Sequence, residues 1–182
     1  VPHKREQPLK DVLNGLTEDY KKLQRQRFFK EFSKTSYLGQ IKSVELTWKY
    51  LNGWHPHLHI MYFYKDGFDS DQVQEFQRQL LEKWCALTGG KLEAQDQQVC
   101  YGEKGAAEYI SKWDASKELT ADQMKRGSGI SPFGILKKLA LEDYSTKKQE
   151  QILWSLYSEY IEATKGKHRI SFGKKLKEEY AR

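Results

Sequence analysis

The sequence predicts an α+β fold in which helices pack on an antiparallel sheet. Apolar residues recur at helical spacing near the start, two alternating runs then flank Asn52-Gly53, and the second half returns to helical periodicity. At 182 residues and 21.4 kDa the chain can bury one sizeable core. It is polar, with 38% apolar and 31% charged residues and a mean hydropathy of −0.84, yet 13% aromatics and only 4 prolines separate it from a disordered chain. No apolar run approaches the roughly 20 residues that span a bilayer. The opening VPHKREQPLK lacks the apolar centre of a secretory signal. Cys85 and Cys100 make neither a disulfide framework nor a paired metal knuckle, so a reducing cytoplasm is the expected location.

Taken in order, Leu9, Leu13, Leu16, Tyr20 and Leu23 form a helical stripe that predicts a helix running to about Phe32. Residues 40–50 and 55–64 read as two strands of a hairpin turned at Asn52-Gly53. Asp69 or Ser70 is placed to cap a second helix, with Val73, Phe76, Leu80, Trp84 and Leu87 inward and Gly89-Gly90 ending it. Residues 91–101 read as a third, polar strand, followed by a short helix over 104–113. Ser131-Pro132 opens a helix through Leu141, and 146–164 carries Ile152, Leu156 and Tyr160 on one stripe. Gly166 then interrupts before a basic tail. Val1-Pro2-His3 reads as the end of a preceding strand, which makes the sheet's first strand an expected absentee.

Charge points to a polyanionic partner. The net charge is +6 with a pI near 9.1. Lys165, Lys167, Arg169, Lys174, Lys175, Lys177 and Arg182 face only Glu178 and Glu179 in the tail, and Lys21, Lys22, Arg25, Arg27 and Lys30 cluster in the first predicted helix. Charge alone describes a solvated helix face equally well.

The chemistry is concentrated in Trp54-His55-Pro56-His57-Leu58-His59-Ile60. On a strand His57 and His59 share one face and Leu58, Ile60 and Tyr62 the other. If Val44, Leu46 and Trp48 of the preceding strand bury together with that apolar set, Glu45 falls on the histidine face. This matching requires an odd loop, such as three residues with a bulge at Gly53. Glu45, His57 and His59 would then offer an open site for a divalent cation, whereas an isolated His-x-His is more often a structural pair. His55 points the same way and is a candidate substrate contact. In Gly105-Ala106-Ala107-Glu108-Tyr109-Ile110-Ser111-Lys112-Trp113, Tyr109 and Lys112 share a helix face. A phenol is a poor nucleophile unless cations stabilise its phenolate, which Lys112 and a metal would supply.

The run WHPHLHI, with VELT before it and YISK some way after, resembles the HUH endonucleases, and among them the rolling-circle replication initiators of bacterial plasmids. SPFGILKKLA and ATKGKHRISFGKKLK are similar to that family's later blocks, so the resemblance spans nearly the whole chain. It implies an HUH-type central antiparallel sheet flanked by helices with a helical C-terminal extension: a nuclease core over 1–115, its first strand missing, and a helical extension with a basic tail over 116–182. It implies Glu45, His57 and His59 as ligands of Mg²⁺ or Mn²⁺, Tyr109 as nucleophile on single-stranded or hairpin origin DNA, and Lys112 as its support. His55 and Lys165, Lys167, Arg169, Lys174, Lys175 and Lys177 would contact DNA. The expected reaction leaves a 5′-phosphotyrosine and a free 3′-OH, and later rejoins the strand. A host helicase, polymerase and single-strand-binding protein, and a bacterial plasmid or phage replicon, follow from the resemblance alone. Two positions depart from it: Trp113 stands where some members carry a second tyrosine, and Gly105 where some carry a water-activating glutamate, with Glu103 and Glu108 at other spacings. Single-tyrosine transposases share the chemistry, while relaxases place their tyrosine before the histidines. A DNA-binding module with a structural metal would favour cysteine ligands, and a small-molecule zinc hydrolase leaves the basic tail unexplained.

Overall fold

The structure, a computed structural model, describes residues 4–35, 37–65, 70–99 and 129–180, the last three without their side chains. It is a mixed fold. Helix α1 (Leu9–Arg25) and the short α2 (Arg27–Phe32) lead into strands β1 (Tyr37–Lys49) and β2 (Gly53–Tyr64). Helix α3 (Ser70–Thr88) and a 3-10 turn (Leu92–Ala94) follow. Then come α4 (Pro132–Ala140), α5 (Lys147–Thr164), β3 (Ile170–Phe172) and α6 (Lys174–Tyr180). The three strands form one antiparallel sheet in the order β2-β1-β3. Among the described residues no helix is long and apolar enough to cross a membrane.

The hairpin sets the geometry of everything else. Lys49 pairs with Gly53, so Tyr50, Leu51 and Asn52 form a three-residue loop. Gly53 adopts φ +72°, and a side chain there would run into the Arg5 carbonyl. From that loop the register pairs Trp48 with Trp54, Leu46 with Pro56 and Val44 with Leu58, which gathers the apolar side chains on one face.

That apolar face is covered by α1, α4 and α5. Leu9 and Leu13, Leu46 and Trp54, Ile135 and Leu139, and Ala163 form one buried cluster. Glu159 of α5 ties it together. One carboxylate oxygen accepts the Leu9 backbone N–H at 2.8 Å, at the positive end of α1, and the other accepts Trp54 Nε1–H at 2.8 Å. Leu9 is 0% and Trp54 3% exposed, so neither donor has water as a substitute. Glu159→Ala is expected to destabilise the protein by roughly 2–4 kcal/mol, read as a lower urea midpoint at unchanged slope, with Glu159→Gln losing less. A second cluster packs Phe29, Phe32 and Phe76 against Tyr37, Tyr62 and Tyr64.

Four sequence expectations need correction. The first helix does not run unbroken to Phe32: Gln26 is extended (ψ 152°), and the break lets Phe29 and Phe32 face the second cluster rather than follow the α1 stripe. Within 91–99 there is no strand; Leu92 and Val99 are 49% and 42% exposed, and these polar residues have no apolar face to bury against the sheet. The third strand is instead β3, inside the basic tail, which is therefore an integral part of the fold. Along α3 only Phe76 is buried, Val73, Leu80, Trp84 and Leu87 being half-buried. The helix expected over 104–113 lies outside the described residues.

Candidate metal centre and nucleic-acid interface

On the sheet face opposite the apolar core, Glu45 stands directly across from His57, Ser43 from His59, and Thr47 from His55. The two strands thus bring Glu45, His55, His57 and His59 to one surface, with backbone positions fixed by the ladder. The side chains settle into two pairs. His59 Nε2 lies 2.8 Å from Glu45 Oε2, a diagonal contact across the hairpin. His55 Nδ1 lies 2.6 Å from His57 Nε2, with ring centroids 4.3 Å apart. The His57 and His59 rings are near-parallel, 24° between planes with centroids 6.5 Å apart.

Electrostatics follows from these contacts. The hydrogen bond from His59 holds the Glu45 carboxyl below its ordinary range; partial burial opposes this, and the nearby charges of His59, His57 and Arg169 add to it. His57 presents much of its surface to solvent, yet the atoms crowding its ring desolvate it enough to push the imidazole down, against the pull of Glu45. A face with an ionised carboxylate and a neutral imidazole is a good donor set for a divalent cation. As placed, however, His57 Nε2 engages His55 instead of converging with the other two. Among the described residues no group of three or more His, Cys, Asp or Glu is arranged to hold an ion. The ligand types and their backbone register fit a cation, and their convergence requires both a turn of the His57 ring away from His55 and the exchange of the His59 Nε2–Glu45 hydrogen bond for the ion.

Tyr109 and Lys112 lie outside the described residues, as does Arg182. The basic tail can be followed. Arg169 leads into β3, and its carbonyl accepts the Val44 N–H at 3.0 Å. Lys165, Lys174 and Lys177 are exposed. Two others are engaged within the fold: Lys167 Nζ donates to Asn14 Oδ1 at 2.8 Å, and Lys175 Nζ donates to the Ser33 carbonyl at 2.7 Å while lying over the Tyr37 ring. In the first predicted helical segment Lys21 pairs with Glu18, Lys22 with Asp19 and Arg27 with Glu31. Helix α1 also covers the sheet face away from the histidines, so its cations are poorly placed to serve that surface.

The alternation of residues 43, 45 and 47 also places Ser43 on this face; it is 4% exposed and sits between His59 and Ile170 across the sheet. His55, a candidate substrate contact by sequence, is here the partner of His57; nothing in the sequence carried that pairing, because it is a choice of side-chain rotamer. A cleft of about 520 Å³ opens on the other side of the sheet, between Lys42, Val44 and Leu46 and the side chains of Phe133 and Tyr160. It is separate from the histidine face, and Lys21, Lys42, Lys167, His168 and Arg169 give it a basic lining against Glu18.

No family model matches the chain, and neither a curated protein nor a solved structure does.

Proposed function

We propose that the protein is a metal-dependent, single-tyrosine nuclease of the HUH type that nicks and rejoins single-stranded DNA as a rolling-circle replication initiator. The observation that carries the reading is the hairpin register: a three-residue turn that puts Glu45 opposite His57 and next to His59 on the face of an antiparallel pair opposite the apolar core. Exposed Lys165, Lys174 and Lys177 at the C-terminal end add the cationic surface that such a substrate needs.

Glu45, His57 and His59 would hold a Mg²⁺ or Mn²⁺ ion, which when bound polarises the scissile phosphate and offsets the charge that develops on it. The reaction itself belongs to Tyr109. Its phenolate oxygen attacks phosphorus, the P–O3′ bond breaks, and the leaving oxygen takes up a proton to become a free 3′-OH. The phosphodiester is conserved as a 5′-phosphotyrosine, so attack by a 3′-OH reverses the step and rejoins a strand. Lys112, three residues after Tyr109 in sequence, favours the phenolate. His55 orients the His57 ring, a positioning role and not a catalytic one. Lys165, Arg169, Lys174 and Lys177 supply phosphate contacts, which set affinity and its salt dependence but not sequence choice.

Incubating the protein with a pool of randomised single-stranded oligonucleotides and Mn²⁺ tests the reading. A denaturation-resistant protein band carrying DNA is expected, and EDTA should abolish it. Free DNA with no attached protein, in the presence of bound oligonucleotide, would leave a non-catalytic DNA-binding module.

A further inference from the structure

Strand β3 presents two large apolar side chains to solvent, Ile170 at 45% and Phe172 at 52% exposure. The ladder assigns their side. Ile170 pairs with Ser43, which pairs in turn with His59, and Phe172 pairs with Ile41, which pairs with Met61. Residues directly opposite in an antiparallel sheet point to the same face. Ile170 and Phe172 therefore share the face of Glu45, His57 and His59, with β1 between. Ile170 stands on the same rung as His59, two strands over, a separation of roughly 10 Å. Ser171, between them, points to the opposite face and lines the cleft there.

At the edge of the described sheet, these outward-facing apolar residues have no core to account for them among the described residues. Their surroundings identify what does. Lys174 and Lys177 follow on α6, both exposed, whereas Arg169, opposite Val44, lines the cleft on the other face with Ser171. An apolar, aromatic-bearing shelf flanked by cations suits a ligand with flat apolar faces strung on a polyanion. Single-stranded nucleic acid is such a ligand: bases stack on aromatic rings while the backbone follows the positive charge.

Building on the nuclease reading above, we propose that Ile170 and Phe172 form a base-stacking subsite that holds a nucleobase of the single strand beside the Glu45–His57–His59 surface. Stacking here is tolerant of sequence, because every base has a π-face. The subsite fixes the strand's direction across the sheet and leaves base identity to be read elsewhere.

The test measures binding of fluorescein-labelled oligothymidylate, and of an abasic strand of equal length, to the full chain in EDTA. Wild-type protein should prefer oligothymidylate, and Phe172→Ala should weaken it roughly tenfold. Phe172→Trp should retain wild-type affinity, and the abasic strand should bind wild type and Phe172→Ala alike. An unchanged far-ultraviolet circular dichroism spectrum checks that Phe172→Ala folds, as its exposure leads us to expect. Oligothymidylate bound equally by wild type and Phe172→Ala overturns the subsite while leaving the nuclease reading to the covalent-adduct assay. Equal loss on both strands also overturns it, since that marks a change in backbone contact or in the fold.

Discussion

His59→Ala is expected to lower metal-dependent nicking by roughly 10³-fold, equivalent to about 4 kcal/mol of transition-state stabilisation. The size follows from what the imidazole does at two levels. On the proposed reading its Nε2 is one of three ligands when an ion is bound, and without the ion the same nitrogen holds the Glu45 carboxylate through the 2.8 Å contact. Alanine removes both the ligand and the group that holds its neighbour. Binding of single-stranded DNA in EDTA should be unchanged, because no phosphate contact has been removed. The same assay on His55→Ala should show a smaller loss, roughly 10–100-fold, since that ring only orients His57 through its 2.6 Å contact. Nicking by His59→Ala within tenfold of wild type would take His59 out of the centre. A larger loss for His55→Ala than for His59→Ala would make His55 the ligand instead.

Raising the pH above 10 is expected to unfold the protein through its tyrosine cluster. Tyr20 donates to Gln40 Oε1 at 2.6 Å and sits 3.2 Å from the Tyr62 hydroxyl, with Tyr37 donating to the same Gln40 oxygen. Burial pushes all of these phenols up, Tyr37 to about 12, and Tyr20, Tyr62 and Tyr64 are raised for the same reason. Each is an acid whose folded form holds its proton longer than the unfolded chain does. Stability is therefore complete below the unfolded value near 10 and falls as the pH rises past it. The two most buried, Tyr20 and Tyr62, together remove about 3 kcal/mol per pH unit, a large share of the 5–15 kcal/mol that a domain typically has. Phenolate absorbance and circular dichroism should change together in an alkaline titration. Titration of all tyrosines near pH 10 with the fold intact would contradict the burial of this cluster.

The hairpin and the face that Glu45 shares with His57 and His59 were legible because they follow from parity. Alternation assigns Val44, Leu46 and Trp48 to the core, Glu45 must then oppose it, and only an odd loop satisfies both strands; Gly53 at positive φ is that loop's requirement. The cap at Ser131 was legible for a similar reason: its side chain accepts the Gly134 N–H, a short-range bond written in four consecutive residues. What was not legible depends on tertiary partners. Strand β3 is three residues long, lies in a cationic stretch and exposes both its apolar side chains, so it lacks every burial signal by which strands are read. The break at Gln26 has no glycine or proline to announce it and arises where Phe29 and Phe32 turn toward Phe76. The pairing of His57 with His55, instead of with Glu45 and His59, is a rotamer choice that periodicity does not address.

Tyr109 is the residue expected to become attached to DNA. Digesting the protein–oligonucleotide adduct formed with Mn²⁺ and mapping the modified peptide by mass spectrometry should place a 5′-phosphate on Tyr109, and Tyr109→Phe should form no adduct while binding the strand as before. An adduct on another residue, or one that survives Tyr109→Phe undiminished, would contradict it.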